Sequence, residues 1–451
     1  MVSMKLSEIC HAAEGQFVGP EELLASDILD VVIDSRAAVE GTLYVPIIGE
    51  RFDGHSFIDA ARQNGAACTL TDRPLANPPY ILVSDTLLAL QRIAKYYRNQ
   101  FDIPVIGVTG SVGKTSTKEM VSAVLSARYQ VLKTTGSMNN QTGVPLTLFR
   151  LNRAHTAAVI EMGTNHFGEI AALAEIVEPT VCLFTNIGVA HIEFFGSREG
   201  ILKGKTEMLQ GMRPGGAILA NGDDDMLVRI PGAVFYGLNE NCHIRGIDIE
   251  DKGLAGVSFT VCYEGKKAPV FVPAPGLHSV SNALAAIACG LQLHMQLEEL
   301  AEGVSAYHAE SGRMCIKKSS RYTVLDDTYN ANPTSVTAAL DVLEKVEGRR
   351  IAILGDMLEL GEQSAEFHEV IGAYAASHGI DLILCVGPES EQTFLGAQSI
   401  HGEKAHYFKT QADLLYFLPT LLKDHDTVLV KASRGMHLEN TVSFLLEEEK
   451  A

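Results

Sequence analysis

A glycine-rich segment near residue 110 carries the residue types that bind phosphate. It follows an apolar stretch, Pro104–Thr109, and precedes a helix-like stretch, Lys114–Leu125. Glycines let a backbone approach phosphate oxygens, and the N–H groups at a helix N-terminus donate to them. The residues predicted to bind ATP here are Thr109, Gly110, Ser111, Val112, Gly113, Lys114 and Thr115. The structural alternative is a glycine turn that only opens a helix.

Two side chains of this loop have chemistry of their own. Lys114 would reach the β- and γ-phosphates, and the hydroxyl of Thr115 would be a ligand of Mg²⁺. The general pattern G-x-x-x-x-G-K-[ST] has its first glycine where this chain has Val108, so only a shorter form, T-G-x-x-G-K-T, is present.

Polar side chains also follow two other apolar segments. Glu161 comes after Ala157–Ile160, while Asn186 and His191 come after Thr180–Phe184. Ligands of parallel sheets bind beyond the carboxyl ends of the strands, where these residues are expected. Glu161 is therefore predicted to hold Mg²⁺ directly or through water. A surface acid and a structural histidine are the alternatives for Glu161 and His191.

The last third of the chain has three more polar segments after apolar runs. They are Asp326–Pro333, Gly355–Met357 and Lys431–Gly435. Turn chemistry accounts for Asn332-Pro333 but not for two aspartates and a tyrosine in the same loop. Ser433 and Arg434 are expected to open the last helix, where an anion would be stabilised.

The bulk composition excludes some function classes. With 36 Lys and Arg against 55 Asp and Glu, the 451-residue chain has a formal charge of −19. Such a surface repels nucleic acid and anionic lipid, so neither is an expected partner. No C-x-x-C pair is present among the eight cysteines, which are expected to be reduced. With no signal peptide and no membrane span in the sequence, we expect a cytoplasmic protein.

The pattern of apolar runs predicts an α/β protein with three regions. Residues 1–83 mix short strands and helices, residues 84–314 alternate strands and helices around the glycine loop, and residues 315–451 resume the alternation. Uninterrupted apolar runs are typical of parallel strands that are buried on both faces. The middle region is therefore predicted to be a parallel mononucleotide-binding sheet, and the last a doubly wound, Rossmann-like domain. Residues 242–273 alternate in polarity, which favours an antiparallel patch.

These motifs together resemble the Mur ligase family over the whole chain. Thr109–Thr115 matches the family's T-G-x-x-G-K-[ST] loop, and Glu161 and His191 match its paired magnesium ligands. The resemblance implies that Lys205 is carbamylated and serves the metal, although Gly204 stands where many relatives have alanine. It also implies three domains: 1–83 for a UDP-linked precursor, 84–314 for ATP and 315–451 for the amine substrate.

The resemblance assigns further residues to substrates. Nucleotide contacts are implied for Asn282, Arg313 and Asp327, and catalytic roles for Lys114, Lys205 and Arg313. Precursor contacts are implied for Ser35, Arg36, Arg51, Asp53, Asn139 and Asn140. The loops near 326–333 and 355–361 are similar to those of the branch that uses D-alanyl-D-alanine. Dipeptide contacts are expected for Asn330, Asn332, Asp356, Ser433 and Arg434.

The implied reaction is ATP-dependent amide formation through an acyl phosphate, by a monomer that uses Mg²⁺. A carboxylate is a poor electrophile, and phosphorylation supplies it with a leaving group that the amine then displaces. The substrates would be a UDP-N-acetylmuramoyl-tripeptide, with lysine or diaminopimelate as its third residue, and D-alanyl-D-alanine. Alternatives are the family's third amino-acid addition, a folate polyglutamate ligase, and a P-loop ATPase that couples hydrolysis to motion.

Overall fold

The computed structural model describes residues 1–49, 52–189 and 192–447. Tight packing within the chain separates two compact units. The first comprises Met1–Val108, Arg128–Cys182 and Thr206–Ala217, and the second Thr109–Ala127, Leu183–Lys205 and Ile218–Ala451. The predicted domain boundaries after residues 83 and 314 stay predictions.

The first part of the chain forms a small α/β layer. Its strands are β1 Met4–Lys5, β2 Gln16–Val18, β3 Asp27–Ile28, β4 Asp30–Val32, β5 Thr42–Tyr44, β6 Cys68–Thr71 and β7 Tyr80–Leu82. Its helices are α1 Leu6–Ala12, α2 Ile58–Gln63 and α3 Thr86–Arg98. Five strands form a sheet in the order β2-β7-β6-β5-β4, in which only the β2–β7 pair is antiparallel.

The middle part is built on a nine-stranded sheet. Its strands are β8 Val105–Thr109, β9 Val131–Lys133, β10 Ala157–Glu161, β11 Val181–Phe184, β12 Ala217–Asn221, β13 Val234–Gly237, β14 Ile244–Asp251, β15 Val257–Tyr263 and β16 Lys266–Val272. Its helices are α4 Lys114–Leu125, α5 Gly143–Leu148, α6 Glu169–Val177, α7 Ile192–Phe195, α8 Arg198–Thr206, α9 His278–Gln292 and α10 Leu297–Ser305. The strand order is β16-β15-β14-β13-β12-β11-β8-β10-β9. The predicted antiparallel patch is confirmed, because β15 pairs antiparallel with β14 and with β16.

The last part is a doubly wound sheet. Its strands are β17 Cys315–Lys318, β18 Thr323–Asp327, β19 Arg350–Gly355, β20 Leu382–Val386, β21 Ala405–Phe408 and β22 Thr427–Lys431. Its helices are α11 Pro333–Glu344, α12 Ser364–Ser377, α13 Ser390–His401, α14 Gln411–Leu421 and α15 Glu439–Glu447. The order is β17-β18-β22-β19-β20-β21, and every pair except β17–β18 is parallel.

Both faces of this last sheet are covered by apolar side chains, as its uninterrupted apolar strands predict. On β19, Ile351 and Ile353 belong to one hydrophobic cluster, while Ala352 and Leu354 belong to the other. Successive side chains of a strand point to opposite faces, so a strand between two helical layers must be apolar throughout. Polar side chains that could bind or react with a substrate are therefore expected at the ends of these strands.

Three expected positions differ from the structure. Glu161 is the last residue of β10, opposite Val108, and not the first residue after the strand. Asp326 and Asp327 likewise close β18, because the parallel ladder to β22 continues through them. Ser433 and Arg434 do not open the last α-helix. Arg434 begins a short 3-10 turn that ends at Met436, and α15 starts only at Glu439.

None of the helices within the described ranges combines the length and the apolar character that crossing a membrane requires.

Candidate active site

The phosphate loop joins the buried strand β8 to α4, and glycine is required at two of its positions. At Gly110, a Cβ would lie 1.9 Å from the Thr185 hydroxyl oxygen, which no side chain tolerates. Gly113 caps α4 with a φ of 79°, in the left-handed region that favours glycine. The predicted start of the helix at Lys114 is confirmed.

Asn186, which follows β11, fixes the shape of this loop. Its carbonyl oxygen accepts from the Ser111 N–H at 3.0 Å, and its side chain accepts from the Val112 N–H at 2.9 Å. The side-chain amide also donates to the Val112 carbonyl at 3.0 Å. The sequence predicts no role for Asn186. These contacts make it a positioning residue for the loop.

Lys114 and Ser111 present polar groups at the loop. The Lys114 ammonium donates to the carbonyl oxygens of Gly110, at 2.9 Å, and Ser111, at 3.3 Å. The Ser111 hydroxyl oxygen is buried and has no hydrogen-bond partner in the part of the chain that the structure describes. A buried unpaired hydroxyl is costly, and a phosphate oxygen would satisfy it.

Arg313 reaches the phosphate loop from the segment that precedes β17. Its Nη2 donates to the Thr115 Oγ1 at 2.9 Å, and its guanidinium carbon lies 3.7 Å from the centre of the Tyr329 ring. The Nε of Arg313 is buried and has no hydrogen-bond partner among residues 1–49, 52–189 and 192–447. The structure therefore brings together two residues that are 198 positions apart and that were both predicted to serve the nucleotide.

Asn282, on α9, contacts the helix that follows the phosphate loop. Its Oδ1 accepts from the Thr117 hydroxyl at 2.9 Å. A Cβ on Gly113 would lie 3.5 Å from the same oxygen, so the amide borders the loop. This position suits the predicted nucleotide contact.

Lys205 is buried on α8, with 1 % of its surface exposed. Burial, together with the charge of Lys114, lowers the pKa of Lys205 well below its ordinary value. The side chain is thus driven toward the neutral amine, which is the nucleophilic form.

Glu161 is a buried carboxylate with one satisfied oxygen. Its Oε1 accepts from the side-chain amide of Asn139 at 2.8 Å, and its buried Oε2 has no hydrogen-bond partner within the described ranges. A buried carboxylate oxygen without a donor fits a cation as its missing partner. No cluster of three or more His, Cys, Asp or Glu side chains suited to a metal occurs in the part of the chain that the structure describes. His191, the other predicted ligand, lies outside the described residues.

The predicted precursor-binding residues already have partners within the protein. Asn139 holds Glu161, and the Oδ1 of Asn140 accepts from the N–H of Gly143 at 2.8 Å, at the start of α5. The carbonyl of Ser35 accepts from Asn64 at 2.9 Å. Arg36 is exposed and paired with Asp34 at 2.6 Å. Their contacts to a precursor stay predictions.

Asp53 belongs to a network of charges around His55. Its Oδ1 lies 2.6 Å from the Nδ1 of His55, and its Oδ2 lies 3.1 Å from Arg73. The Nε2 of His55 lies 3.2 Å from Asp72. Hydrogen bonds from the backbone and side chain of His55 lower the pKa of Asp53. Arg51, predicted beside it, lies outside the described residues.

The predicted nucleotide contact Asp327 is held by the C-terminal sheet. Its Oδ2 pairs with the buried Lys431 at 2.5 Å, and its Oδ1 accepts from the Met314 N–H at 3.0 Å. The same lysine donates to the carbonyl of Asn330 at 3.0 Å. Asp327 therefore fixes the backbone next to Arg313.

The predicted dipeptide residues lie on loops at one edge of this sheet. Asn332 caps α11 by accepting from the Ser335 N–H at 2.9 Å. The hydroxyl of Ser433 accepts from the Leu358 N–H at 2.9 Å and donates to the Ala331 carbonyl at 3.3 Å. Ser433 thereby ties three of the predicted loops together.

Asp356 and Arg434 are the two charged members of this group. The Oδ1 of Asp356 accepts from the N–H and the hydroxyl of Ser390, at 2.8 and 2.7 Å. Arg434 is exposed, lies 3.6 Å from Glu439, and has its guanidinium carbon 5.8 Å from the centre of the Tyr329 ring. One carboxylate oxygen of Asp356 is therefore already bonded to the start of α13, while the side chain of Arg434 is accessible to solvent.

Comparison with known protein families gives three matches along the chain. The Mur ligase middle domain matches residues 108–290, the family described as Mur ligase, glutamate ligase domain matches 312–434, and the Mur ligase family catalytic domain matches 28–98.

Two curated relatives are similar over nearly their whole length. Both are named UDP-N-acetylmuramoyl-tripeptide--D-alanyl-D-alanine ligase. The protein from Bacillus subtilis is 36% identical and that from Escherichia coli is 35% identical, and each comparison covers 99% of both chains.

Solved structures of two relatives have the same fold. MurF from Acinetobacter baumannii superposes with a TM-score of 0.92 at 33% identity, with 99% of each chain covered. MurF ligase from Thermotoga maritima, in complex with ADP, superposes with a TM-score of 0.84 at 29% identity, covering 94% of this chain and 99% of that one. They support the predicted three-domain α/β architecture, and the chain belongs to the Mur ligase family.

Proposed function

We propose that this protein is an ATP-dependent ligase that joins D-alanyl-D-alanine to a UDP-N-acetylmuramoyl-tripeptide. The product is the UDP-muramoyl-pentapeptide used in peptidoglycan synthesis, and the other products are ADP and phosphate. The observation that carries the proposal is the similarity, over 99% of the chain, to ligases that bear the name of this activity. We place the reaction in the cytoplasm and expect a monomer.

The charges near the phosphate loop suit phosphoryl transfer to a carboxylate. Both reacting groups are anionic, so their approach requires positive charge that is already in position. Lys114 lies on the loop, and Arg313 donates to Thr115 beside it. Lys114 would hold the γ-phosphate, and Arg313 would stabilise the charge that develops during transfer.

The neutral amine predicted for Lys205 supports carbamylation. The Nζ would attack the carbon of CO₂, form an N–C bond and release a proton, leaving a carbamate with two anionic oxygens. This change replaces a neutral amine with an anionic group whose oxygens can bind a cation. Burial lowers the pKa of Lys205 and so supplies the neutral amine that the reaction needs, while the positive charge of Lys114 would stabilise the carbamate that forms.

Magnesium would supply charge neutralisation of the phosphates. Glu161 fits a cation through its unpartnered Oε2, and Thr115 fits through its hydroxyl oxygen, which here accepts from Arg313. Lys205 fits once it carries a carbamate. We assign metal contacts to these residues and to His191.

In the C-terminal part, the reaction needs a site for a zwitterion. D-alanyl-D-alanine has an ammonium at one end, a carboxylate at the other and two methyl groups between. Asp356 would attract the ammonium and Arg434 the carboxylate, with Asn330, Asn332 and Ser433 completing the site. Small methyl groups need no charged partner, unlike the side chains of lysine or D-glutamate.

The decisive experiment measures phosphate release by the purified full-length protein with ATP and Mg²⁺. The carboxylate substrate is UDP-muramoyl-tripeptide in its lysine and diaminopimelate forms. The amines compared are D-alanyl-D-alanine, lysine, diaminopimelate and D-glutamate, and Lys114→Ala is the inactive control. We expect turnover only with a tripeptide precursor and the dipeptide together. Faster turnover with a single amino acid would assign the chain to another step, and turnover without any amine would favour a P-loop ATPase.

A further inference from the structure

The aromatic ring of Tyr329 lies next to both of the arginines assigned to anionic substrates. The guanidinium carbon of Arg313 is 3.7 Å from the ring centre, and that of Arg434 is 5.8 Å from it. Guanidinium groups within about 6 Å of a ring centroid are attracted by the ring's negative face. Tyr329 itself has no role in the activity proposed above.

The backbone fixes the ring and the first arginine relative to each other. The Tyr329 N–H donates to the Gly312 carbonyl at 3.0 Å, and the Gly312 N–H donates to Asp326 Oδ2 at 3.2 Å. On the other side of Arg313, the Met314 N–H is bound by Asp327. Arg313 therefore starts from a backbone segment that is tied on both sides to the end of β18 and the loop after it.

The ring also limits where the guanidinium of Arg313 can point. Its guanidinium carbon lies over the Tyr329 ring, one Nη donates to Thr115, and its buried Nε has no hydrogen-bond partner among the described residues. A buried unpaired donor is unfavourable, so this orientation needs compensation from other contacts. The contact with the Tyr329 ring is one such contact, and Nε stays an unsatisfied donor that an anion would satisfy.

We propose that Tyr329 is a positioning residue that sets both arginines, and so links the phosphate end of the reaction to the carboxylate end of the amine substrate. The identity of the two anions rests on the proposed function. Arg313 depends on the ring for its orientation toward phosphate. Arg434, which is exposed and lies 3.6 Å from Glu439, depends on the ring for its direction.

The test compares Tyr329→Leu, which removes the ring, with Tyr329→Phe, which keeps it. Loss of a cation–π contact weakens a bound state by about 3- to 30-fold. We expect Tyr329→Leu to raise the KM for D-alanyl-D-alanine and to lower kcat, each within that range, while Tyr329→Phe stays within about 2-fold of the original protein. Arg434→Ala, in contrast, should change the dipeptide KM far more than kcat.

A second measurement separates this proposal from the proposed function. Calorimetry measures the affinity for ATPγS with Mg²⁺ in the absence of any amine. This affinity reports on Arg313 and does not depend on which amine is the substrate. We expect weaker binding for Tyr329→Leu and unchanged binding for Tyr329→Phe and for Tyr416→Leu, an exposed tyrosine of the same part of the chain. Melting temperatures identify any variant that fails to fold.

Two results would overturn the proposal. One is a folded Tyr329→Leu protein with unchanged ATPγS binding and unchanged kinetic constants. The other is a Tyr329→Phe protein as impaired as Tyr329→Leu, because the hydroxyl and not the ring would then carry the effect.

Discussion

The Nη2 of Arg313 donates to the Oγ1 of Thr115 at 2.9 Å. The hydroxyl oxygen that the phosphate-loop motif reserves for Mg²⁺ thus accepts a hydrogen bond from an arginine 198 residues further along the chain. A cation bound to this oxygen would repel the nearby guanidinium, which would then be available to a phosphate. Thr115 therefore connects the metal with the arginine assigned to the transferred phosphate.

This relationship predicts different effects for two substitutions of Thr115. Thr115→Ser keeps the hydroxyl, while Thr115→Val keeps the shape and removes it. We expect Thr115→Val to raise the Mg²⁺ concentration for half-maximal turnover by at least about 10-fold. Thr115→Ser should stay close to the original protein. A magnesium titration of phosphate release measures both, and an unchanged requirement in Thr115→Val would remove Thr115 from the metal site.

Glu161→Gln tests the buried carboxylate. The amide keeps an oxygen to accept from Asn139 and removes the negative charge that Oε2 carries without a partner. Because an unpaired buried charge is unfavourable, we expect the melting temperature to be unchanged or higher. The Mg²⁺ requirement should rise and turnover should fall. If Glu161→Gln is less stable than the original protein and its Mg²⁺ requirement is unchanged, Glu161 has a structural role.

The buried amine of Lys205 predicts a defined dependence of stability on pH. Its folded-state pKa lies well below the ordinary 10.5, so between the two values the unfolded chain holds a proton that the folded chain does not. Stability therefore rises with pH in that window, by at most about 1.4 kcal/mol per pH unit. Lys205→Met removes the titrating group and should be more stable than the original at neutral pH. In CO₂-free buffer, this advantage should shrink as the pH rises toward 10.5.

Measurements of activity compare the Lys205 variants with a control variant on the same helix. Lys205→Met and Lys205→Ala should lose turnover, and short carboxylates should partly restore it in Lys205→Ala. Lys203→Ala, two residues away on the exposed side of α8, serves as the control and should stay active. If Lys205→Ala turns over normally, the carbamate is not part of this site. If the advantage in stability of Lys205→Met does not depend on pH, the pKa of Lys205 is not lowered by burial.

The sequence was sufficient for several buried central strands and for the phosphate loop, but not for β6, β7, β12, β13, β17 and β21. The uninterrupted apolar runs of β8, β19 and β22 predict buried parallel strands because two helical layers exclude polar side chains from both faces. The start of α4 at Lys114 was predicted because glycine and a lysine-threonine pair mark the change from loop to helix. These signals come from residues that are adjacent in the chain, so a single sequence is enough to detect them.

The partners of the predicted site residues could not be predicted in the same way. Asn139 was assigned to a precursor, yet it holds Glu161, and Asp356 holds Ser390, 34 positions away. The hydrogen bonds of Asn186 to the loop and the stacking of Arg313 on Tyr329 join segments that only the fold brings together. The extra length of β10 and β18 was missed because an acid at a strand end is polar but still pairs in the ladder.

Asp356 requires two substitutions, since it has both a structural contact and a predicted charge role. Asp356→Asn keeps an oxygen for the two donors of Ser390, so we expect little change in melting temperature. Its dipeptide KM should rise about 10- to 150-fold if the charge attracts the ammonium. Asp356→Ala leaves both donors unsatisfied and should also lose about 1–3 kcal/mol in the free energy of unfolding. An unchanged KM in Asp356→Asn would restrict Asp356 to holding α13.

Arg434 provides the sharpest test of the amine substrate. The side chain is exposed and lies after β22, at the carboxyl edge where parallel sheets bind ligands. Loss of a charge-assisted hydrogen bond costs about 1.5–3 kcal/mol, or roughly 10- to 150-fold in affinity. We therefore expect Arg434→Ala to raise the KM for D-alanyl-D-alanine by that factor while the KM for ATP changes little.

Two comparisons make the result on Arg434 specific. Arg321→Ala is the control, because Arg321 precedes β18 at the opposite end of the same sheet and pairs with Asp424 at 2.7 Å. D-alanyl-D-alanine amide, which lacks the terminal carboxylate, should be a poor substrate for the original protein and should lose little further in Arg434→Ala. If Arg434→Ala weakens the amide as much as the free dipeptide, the guanidinium does not bind the carboxylate and acts elsewhere in the reaction.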